Sequence, residues 1–172
     1  MAIASDHALA KSAATLAGRL LLTLRQEAAK SGLAPKRIGE IGDDRSHKLL
    51  CAFLSDAFPN DAILSEEQMD DLERLAAERV WIIDPLDGTR EFSENDRDDW
   101  AVHVALVENQ EPTVGAVALP SLNMTFCSDT KTATNDSITD VRIVCSRTRP
   151  GPAAELLANE LSGDLILSLI HI

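Results

Sequence analysis

An apolar run that leads into two acidic residues constrains this chain more than any other segment. The run Val80-Trp-Ile-Ile83 is typical of a buried strand, and Asp84-Pro-Leu-Asp-Gly-Thr89 follows it directly. Because Pro85 and Gly88 both favour turns, we expect the strand to end where this acidic sequence begins. The segment therefore predicts a buried strand with two carboxylates at its end.

This pair of carboxylates suits a hard cation. Asp84 and Asp87 can converge on one ion, and ligand sets made only of oxygen suit Mg²⁺, Mn²⁺ or Ca²⁺ rather than zinc. Gly88 would let a phosphate approach the backbone N–H groups, and Thr89 offers a hydroxyl. The alternative is a capped turn, since Asp, Pro and Gly are all turn formers. The flanking strand and Thr89 favour the cation site.

Two further acidic pairs precede this segment. Glu66-Glu67 follows the short apolar run 62–65, and Asp43-Asp44 precedes a predicted helix. Adjacent carboxylates repel each other unless a cation or solvent relieves them. Beside Asp84 on a neighbouring strand, the glutamates favour a metal site over a solvated helix start. Asp43-Asp44 keeps two interpretations, a helix N-cap or an acid that orients a hydroxyl for catalysis.

Four further features have simpler interpretations. Arg90 could pair with a phosphate or with a surface acid, and 97–99 is interpreted as a solvated loop. His103 lies on a predicted strand among Ala, Val and Leu, and we interpret it as structural. Trp81 and Trp100 are predicted to anchor the core.

The charge balance disfavours nucleic acid and anionic membranes as partners. The chain has 172 residues, of which 16 are Lys or Arg and 28 are Asp or Glu, for a net charge of −12. Such a chain repels nucleic acid and anionic lipid, and no stretch approaches the roughly 20 apolar residues of a membrane span. The odd, scattered cysteines predict reduced thiols in a cytoplasm. A bound phosphate would need added positive charge, and a divalent cation is the simplest source.

The hydrophobic periodicity predicts a mixed α/β layered protein. Helices are predicted over 6–30, 44–58, 69–79 and 152–161, and strands over 62–65, 80–83, 100–107, 114–119, 125–127 and 141–145. We interpret 1–138 as an α+β metal-binding domain and 139–172 as the beginning of a second α/β domain. The last residues, 165–172, are typical of a buried strand in a continuing sheet, so we expect the chain to be cut short there or to end in foreign sequence.

Two sequences resemble the inositol monophosphatase superfamily: Ile63-Leu-Ser-Glu-Glu67 and Trp81-Ile-Ile-Asp-Pro-Leu-Asp-Gly-Thr-Arg-Glu-Phe92. Within that superfamily, Arg90-Glu-Phe92 is similar to the 3′(2′),5′-bisphosphate nucleotidases of the CysQ type. The resemblance runs from about residue 6 to about residue 160. It implies an αβαβα sandwich, of which this chain would hold the first domain and the start of the second.

The resemblance also implies a Mg²⁺-dependent, lithium-sensitive phosphatase. By position, the metal ligands would be Glu66, Asp84, Asp87 and the backbone carbonyl of Leu86, with Mn²⁺ as a substitute ion. Glu66, Leu86 and Asp87 would also contact the substrate, together with Gly88, Thr89 and Arg90. Asp43, or Asp44 in its place, would pair with the Thr89 hydroxyl to activate a water.

The implied substrate is 3′-phosphoadenosine 5′-phosphate, whose 3′-phosphate would be released in sulfur metabolism. Inositol 1-phosphate and fructose 1,6-bisphosphate are the alternatives within the superfamily. Its members carry a Trp-Asp-x-Ala-type motif in their second half, and this sequence contains none. A second hypothesis is therefore a non-catalytic fragment that binds metal and needs a missing domain. Oligomeric state stays open, since full-length members are often dimers.

Overall fold

Two long helices and a five-stranded sheet position every candidate site residue named above. The structure, a computed structural model, describes residues 4–69, 72–130, 141–146 and 151–167. The chain divides into two compact units, 1–130 and 131–172. Most of the predicted loop 129–140, two residues of the predicted helix 69–79, and the final residues 168–172 lie outside the described residues.

The helices of the described chain differ greatly in length. They are α1 (Ala4–Ser31), α2 (Pro35–Ala57), α3 (Thr89–Ser93) and α4 (Pro152–Glu160), with 3₁₀ turns at Glu73–Ala76 and Pro120–Leu122. α1 confirms the predicted helix 6–30, and α4 confirms the one predicted over 152–161. α2 begins nine residues earlier than predicted, at Pro35 instead of 44.

The first unit holds one mixed sheet in the order β1-β2-β3-β4-β5. β1 runs parallel to β2, and every later neighbour pairs antiparallel. The strands are β1 (Ala62–Ser65), β2 (Arg79–Asp87), β3 (Ala101–Glu108), β4 (Glu111–Leu119) and β5 (Met124–Cys127). Because β1 and β2 are parallel, their carboxyl ends meet at one edge of the sheet, where both acidic sequences begin.

Alternation along β3 shows where the core lies. Val102, Val104 and Leu106 are buried, whereas His103 and its outward-facing neighbours are half-buried. α1 supplies small side chains and Leu21 to the buried side, so helix and sheet approach closely. Trp81 and Trp100 are both fully buried, as predicted, and Phe92 meets Trp100 edge to face at 5.0 Å between ring centroids.

Two predictions about the site segments are wrong. Asp43 and Asp44 lie inside α2 and not at its N-cap, because the helix continues through Gly39 and Gly42 despite their low helix propensity. These glycines let α2 approach its neighbours closely. A Cβ at Gly39 would lie 2.7 Å from Thr89 Cγ2, and one at Gly42 would lie 2.8 Å from the Phe92 ring.

The predicted end of β2 is also wrong. The strand continues through Asp84 to Asp87, and its pairing with β3 shifts between those two residues. Such an irregularity accommodates Pro85, which has no N–H to donate to a ladder. Instead of a charged helix over 69–79, the described residues there form only the 3₁₀ turn Glu73–Ala76.

The described part of the second unit is a small β-α-β arrangement. β6 (Arg142–Cys145) pairs in parallel with β7 (Asp164–Leu167), and α4 connects them along the chain. Among the described residues, no helix is long and apolar enough to cross a membrane.

Candidate metal and phosphate site

Three side chains converge where β2 passes β3. The donor atoms of Asp84, Asp87 and His103 all lie within 4.8 Å of one another. His103 faces Asp84 in the β2–β3 register, and its Nε2 is 3.2 Å from Asp87 Oδ2. Among the described residues, this is the group of His, Cys, Asp and Glu side chains that could hold a metal ion.

The carboxylate of Asp84 sits in an unfavourable place for a negative charge. Burial, followed by repulsion from Glu66 and Asp87, raises the pKa of Asp84 to about 6. The Glu66 carboxyl lies within hydrogen-bonding reach of Asp84, although it comes from the turn after β1. A cation between these groups would remove both the repulsion and the burial cost.

A second acidic position faces Thr89 from helix α2. The Thr89 hydroxyl donates to the Leu86 carbonyl oxygen at 3.1 Å, and the Asp43 carboxylate is a second acceptor near it. Burial, then repulsion from Glu67, raises the pKa of Asp43 to about 7. One hydroxyl proton can be donated to only one of these acceptors at a time, so Thr89 has a choice of partner.

Asp44 occupies a different environment from Asp43. It is exposed on the outer side of α2, and its Oδ1 lies 2.7 Å from Lys48 Nζ. The Lys48 hydrogen bond lowers the pKa of Asp44. Of the two acids that the sequence left open, Asp43 is the one that the structure places beside Thr89.

The backbone after Asp87 turns sharply to begin α3. Gly88 has φ 81° and ψ 41°, a left-handed conformation in which a side chain is strained. A Cβ there would lie 3.0 Å from the Asp99 carbonyl oxygen. Gly88 therefore lets the chain turn directly from β2 into α3.

Buried hydrogen bonds hold the strand end in place. The Ser46 hydroxyl donates to the Pro85 carbonyl oxygen at 2.7 Å, and Asp84 Oδ1 accepts from the Leu86 N–H at 3.2 Å. Ser46 is fully buried, and Leu86 is 2% exposed. Leu86 thus has a fixed backbone, and its side chain belongs to the core.

Glu66 and Arg90 lie at the open side of the cluster. Glu66 and Glu67 are exposed on the turn after β1. Arg90 is exposed on α3, and its Nε lies 3.2 Å from Glu94 Oε1, so in this structure it pairs with a surface acid. Arg97 and Asp99 form an ion pair in the loop before β3.

Two histidines near the site have partners that the sequence analysis missed. The hydrogen bond to Asp87 raises the pKa of His103, which favours an imidazolium that holds Asp87 in place. Period-two alternation could have found it, because residues 102 and 104 face the core and 103 must face the other side. His47 lies beside Ser65, and no pattern in the sequence indicates that contact.

The sequence matches a known protein family. Residues 3–163 match the model of the inositol monophosphatase family. The chain belongs to that family. The family match and the sheet architecture confirm the fold class expected from the sequence.

Relatives of established name share much of the sequence. The chain is 47% identical over 159 residues to the 3′-phosphoadenosine 5′-phosphate phosphatase of Mycobacterium leprae, an alignment that covers 85% of this chain and 58% of that protein. It is 33% identical over 85 residues to the 3′(2′),5′-bisphosphate nucleotidase CysQ of Escherichia coli, covering 49% of this chain and 34% of CysQ. The chain thus spans little more than half the length of the mycobacterial relative.

A solved structure shows the same fold. CysQ from Bacteroides thetaiotaomicron superposes with a TM-score of 0.73 at 26% identity, covering 95% of this chain and 72% of that one. Inositol monophosphatase II from Staphylococcus aureus reaches the same TM-score at 15% identity and 95% coverage of this chain. Both contain more chain than is present here.

Proposed function

We propose that this chain is the metal-binding part of a Mg²⁺-dependent phosphatase that removes the 3′-phosphate of 3′-phosphoadenosine 5′-phosphate. The observation that carries the proposal is the convergence of Asp84, Asp87 and His103, with Glu66 near Asp84 and Asp43 near Thr89. Its strongest support in sequence is the 47% identity to a protein of that named activity. Mg²⁺ and the nucleotide substrate are parts of the proposal.

The donor set fits a hard divalent cation. Glu66, Asp84, Asp87 and the Leu86 carbonyl offer oxygen atoms, the ligands that Mg²⁺ and Mn²⁺ prefer. Asp84 is half-buried among like charges, which an ion would relieve. When bound, the ions supply Lewis-acid activation of phosphate and water.

The remaining residues provide proton handling and orientation. Asp43 would take a proton from the attacking water through the Thr89 hydroxyl, and its raised pKa of about 7 suits a general base. The N–H groups after Gly88 would bind phosphate oxygens at the edge of the cluster. Arg90 would leave Glu94 to contact the substrate, because an exposed ion pair costs little to break.

The test is phosphate release by the purified chain from 3′-phosphoadenosine 5′-phosphate, with inositol 1-phosphate as the parallel substrate. Each is assayed with Mg²⁺, with EDTA, and with Asp84→Asn. We expect release that requires Mg²⁺, is lost in the variant, and favours the nucleotide. A preference for inositol 1-phosphate would contradict the substrate assignment.

A folded chain without turnover would reject catalysis by these residues alone. The second hypothesis, a metal-binding fragment that needs a further domain, would then be supported by retained Mg²⁺ binding that Asp84→Asn abolishes. We also propose that residues 139–172 open a second α/β domain, since β6, α4 and β7 form a β-α-β arrangement. Addition of the remainder of a relative's chain should then restore release.

A further inference from the structure

His47 links helix α2 to the turn that carries Glu66 and Glu67. Its Nδ1 lies 2.8 Å from the Oγ of Ser65, the last residue of β1. Ser65 is only 3% exposed, so its hydroxyl has little access to water. His47 follows Asp43 by one helical turn, which places both side chains on the same face of α2.

The Ser65 hydroxyl is part of the turn itself. The Glu67 N–H donates to Ser65 Oγ at 3.3 Å, and the Glu66 N–H donates to the Ile83 carbonyl oxygen at 3.3 Å. A hydroxyl that accepts from Glu67 still carries its own proton, which a neutral His47 can accept at Nδ1. This single hydroxyl therefore connects the helix, the strand end and the backbone of the acidic turn.

Cys51 limits the movement of the His47 ring. It lies one turn further along α2, and its Sγ is 3.7 Å from Nε2 and 3.8 Å from Nδ1. The thiol is half-buried against the imidazole. The ring is thus held between Cys51 and Ser65, with its Nδ1 directed at the hydroxyl.

We propose that His47 is a positioning residue for the metal site. It fixes the Ser65 hydroxyl and, through it, the backbone of the 66–67 turn, so that the exposed Glu66 side chain stays within reach of Asp84. The inference rests on the proposed function in one respect, that Glu66 is a metal ligand. Residues that orient metal ligands typically change metal affinity by about 10–100-fold when they are lost.

The first measurement is Mn²⁺ affinity, followed by the electron paramagnetic resonance signal of free Mn²⁺. We expect His47→Leu and Ser65→Ala each to weaken binding by about 10–100-fold. The double variant should be no weaker than the weaker single one, because both changes break the same connection. His47→Asn keeps an acceptor near the Nδ1 position and should recover most of the affinity.

Lys48→Gln is the matched control. Lys48 is the next residue on α2 and pairs with Asp44 on the exposed side, away from Ser65. We expect its Mn²⁺ affinity to equal that of the wild type. A loss in Lys48→Gln as large as that in His47→Leu would overturn the proposal, because the effect would then come from the helix as a whole.

The second measurement is hydrogen exchange at the Glu67 amide in the metal-free protein. Exchange should be faster in His47→Leu and Ser65→Ala and unchanged in Lys48→Gln, with each variant folded by circular dichroism. Wild-type exchange and wild-type Mn²⁺ affinity in folded His47→Leu would overturn the proposal. If the wild-type chain binds no Mn²⁺, the proposed metal site fails, whereas faster exchange in His47→Leu still supports the positioning role.

Discussion

At the scale of single residues, the two neighbouring aspartates of α2 differ in surroundings more than in chemistry. Asp43 is half-buried beside Thr89 and repelled by Glu67, whereas Asp44 is exposed and paired with Lys48. Burial and repulsion hold the pKa of Asp43 at about 7, and the lysine lowers that of Asp44. A one-residue step on a helix turns a side chain by about 100°, which suffices to separate a half-buried acid from an exposed one.

These two residues give a matched pair of variants. We expect Asp43→Asn to lower the rate of phosphate release by about 10²–10⁴-fold, the usual contribution of a general base. Asp44→Asn should remain close to the wild-type rate, since it removes only an exposed ion pair. Steady-state kinetics at saturating Mg²⁺ would measure both. An equal loss in the two variants would show that Asp43 does not act through Thr89.

At the scale of elements, the contact between α2 and α3 holds Asp43 against Thr89. Gly39 makes it possible, since a Cβ at this position would lie 2.7 Å from Thr89 Cγ2 and 3.1 Å from Ser93 Oγ. Glycine has a low helix propensity, but at position 39 it allows α2 and α3 to pack closely. The proximity of Asp43 and Thr89 depends on a residue with no side chain.

Gly39→Ala should consequently destabilise the protein. Alanine favours the helix, but the added methyl group has no room, and overpacking of this kind usually costs about 1–3 kcal/mol. For a domain of this size, each kcal/mol lowers Tm by about 2–4 °C. Gly115→Ala is the control, because a Cβ there meets nothing within 4 Å. Scanning calorimetry that found both variants as stable as the wild type would contradict this account.

The helices and strands also differ in how well they could be predicted from the sequence. Periodicity predicted α1, α4 and most strands, most clearly α1 and β3, each of which buries one face. It placed the start of α2 too late and the end of β2 too early, since Gly39 and Pro85 are local breakers that tertiary packing overrides. The acids of the site were predicted from their position after strands. Alternation along β3 indicates the face on which His103 lies, but its contact with Asp87 and the His47–Ser65 contact depend on pairing between distant segments, which local pattern does not contain.

At the scale of the whole molecule, an acidic chain concentrates part of its charge at one edge of its sheet. At the opposite edge, the acidic side chains are paired with an arginine. There Arg79 lies 2.9 Å from Asp61 and 2.6 Å from Glu108, so those carboxylates are neutralised within the fold. Among the described residues no lysine or arginine is paired with Asp43 or Asp84, although His103 faces Asp84, and burial raises the pKa values of both aspartates. The structure is thus internally balanced at one edge and depends on solution ions or protons at the other.

This difference predicts how the metal-free protein responds to pH. In the folded state the pKa values are about 7 for Asp43 and about 6 for Asp84, against 3.8 for an ordinary aspartate. Between about pH 4 and pH 7 the folded chain therefore binds more protons than the unfolded chain, and the stability from these groups falls as pH rises. Because both side chains are half-exposed, solvent screening reduces the effect to about 1 kcal/mol each.

The measurement is the Tm in EDTA at two pH values. Between pH 5 and pH 7.5, the Tm of the wild type should drop more than that of the Asp43→Asn, Asp84→Asn double variant, by roughly 2–4 °C for each group. Mg²⁺ should raise the Tm of the wild type at pH 7.5 and leave the Tm of the double variant unchanged. Identical Tm profiles for the two proteins in EDTA would show that these acids do not destabilise the folded state.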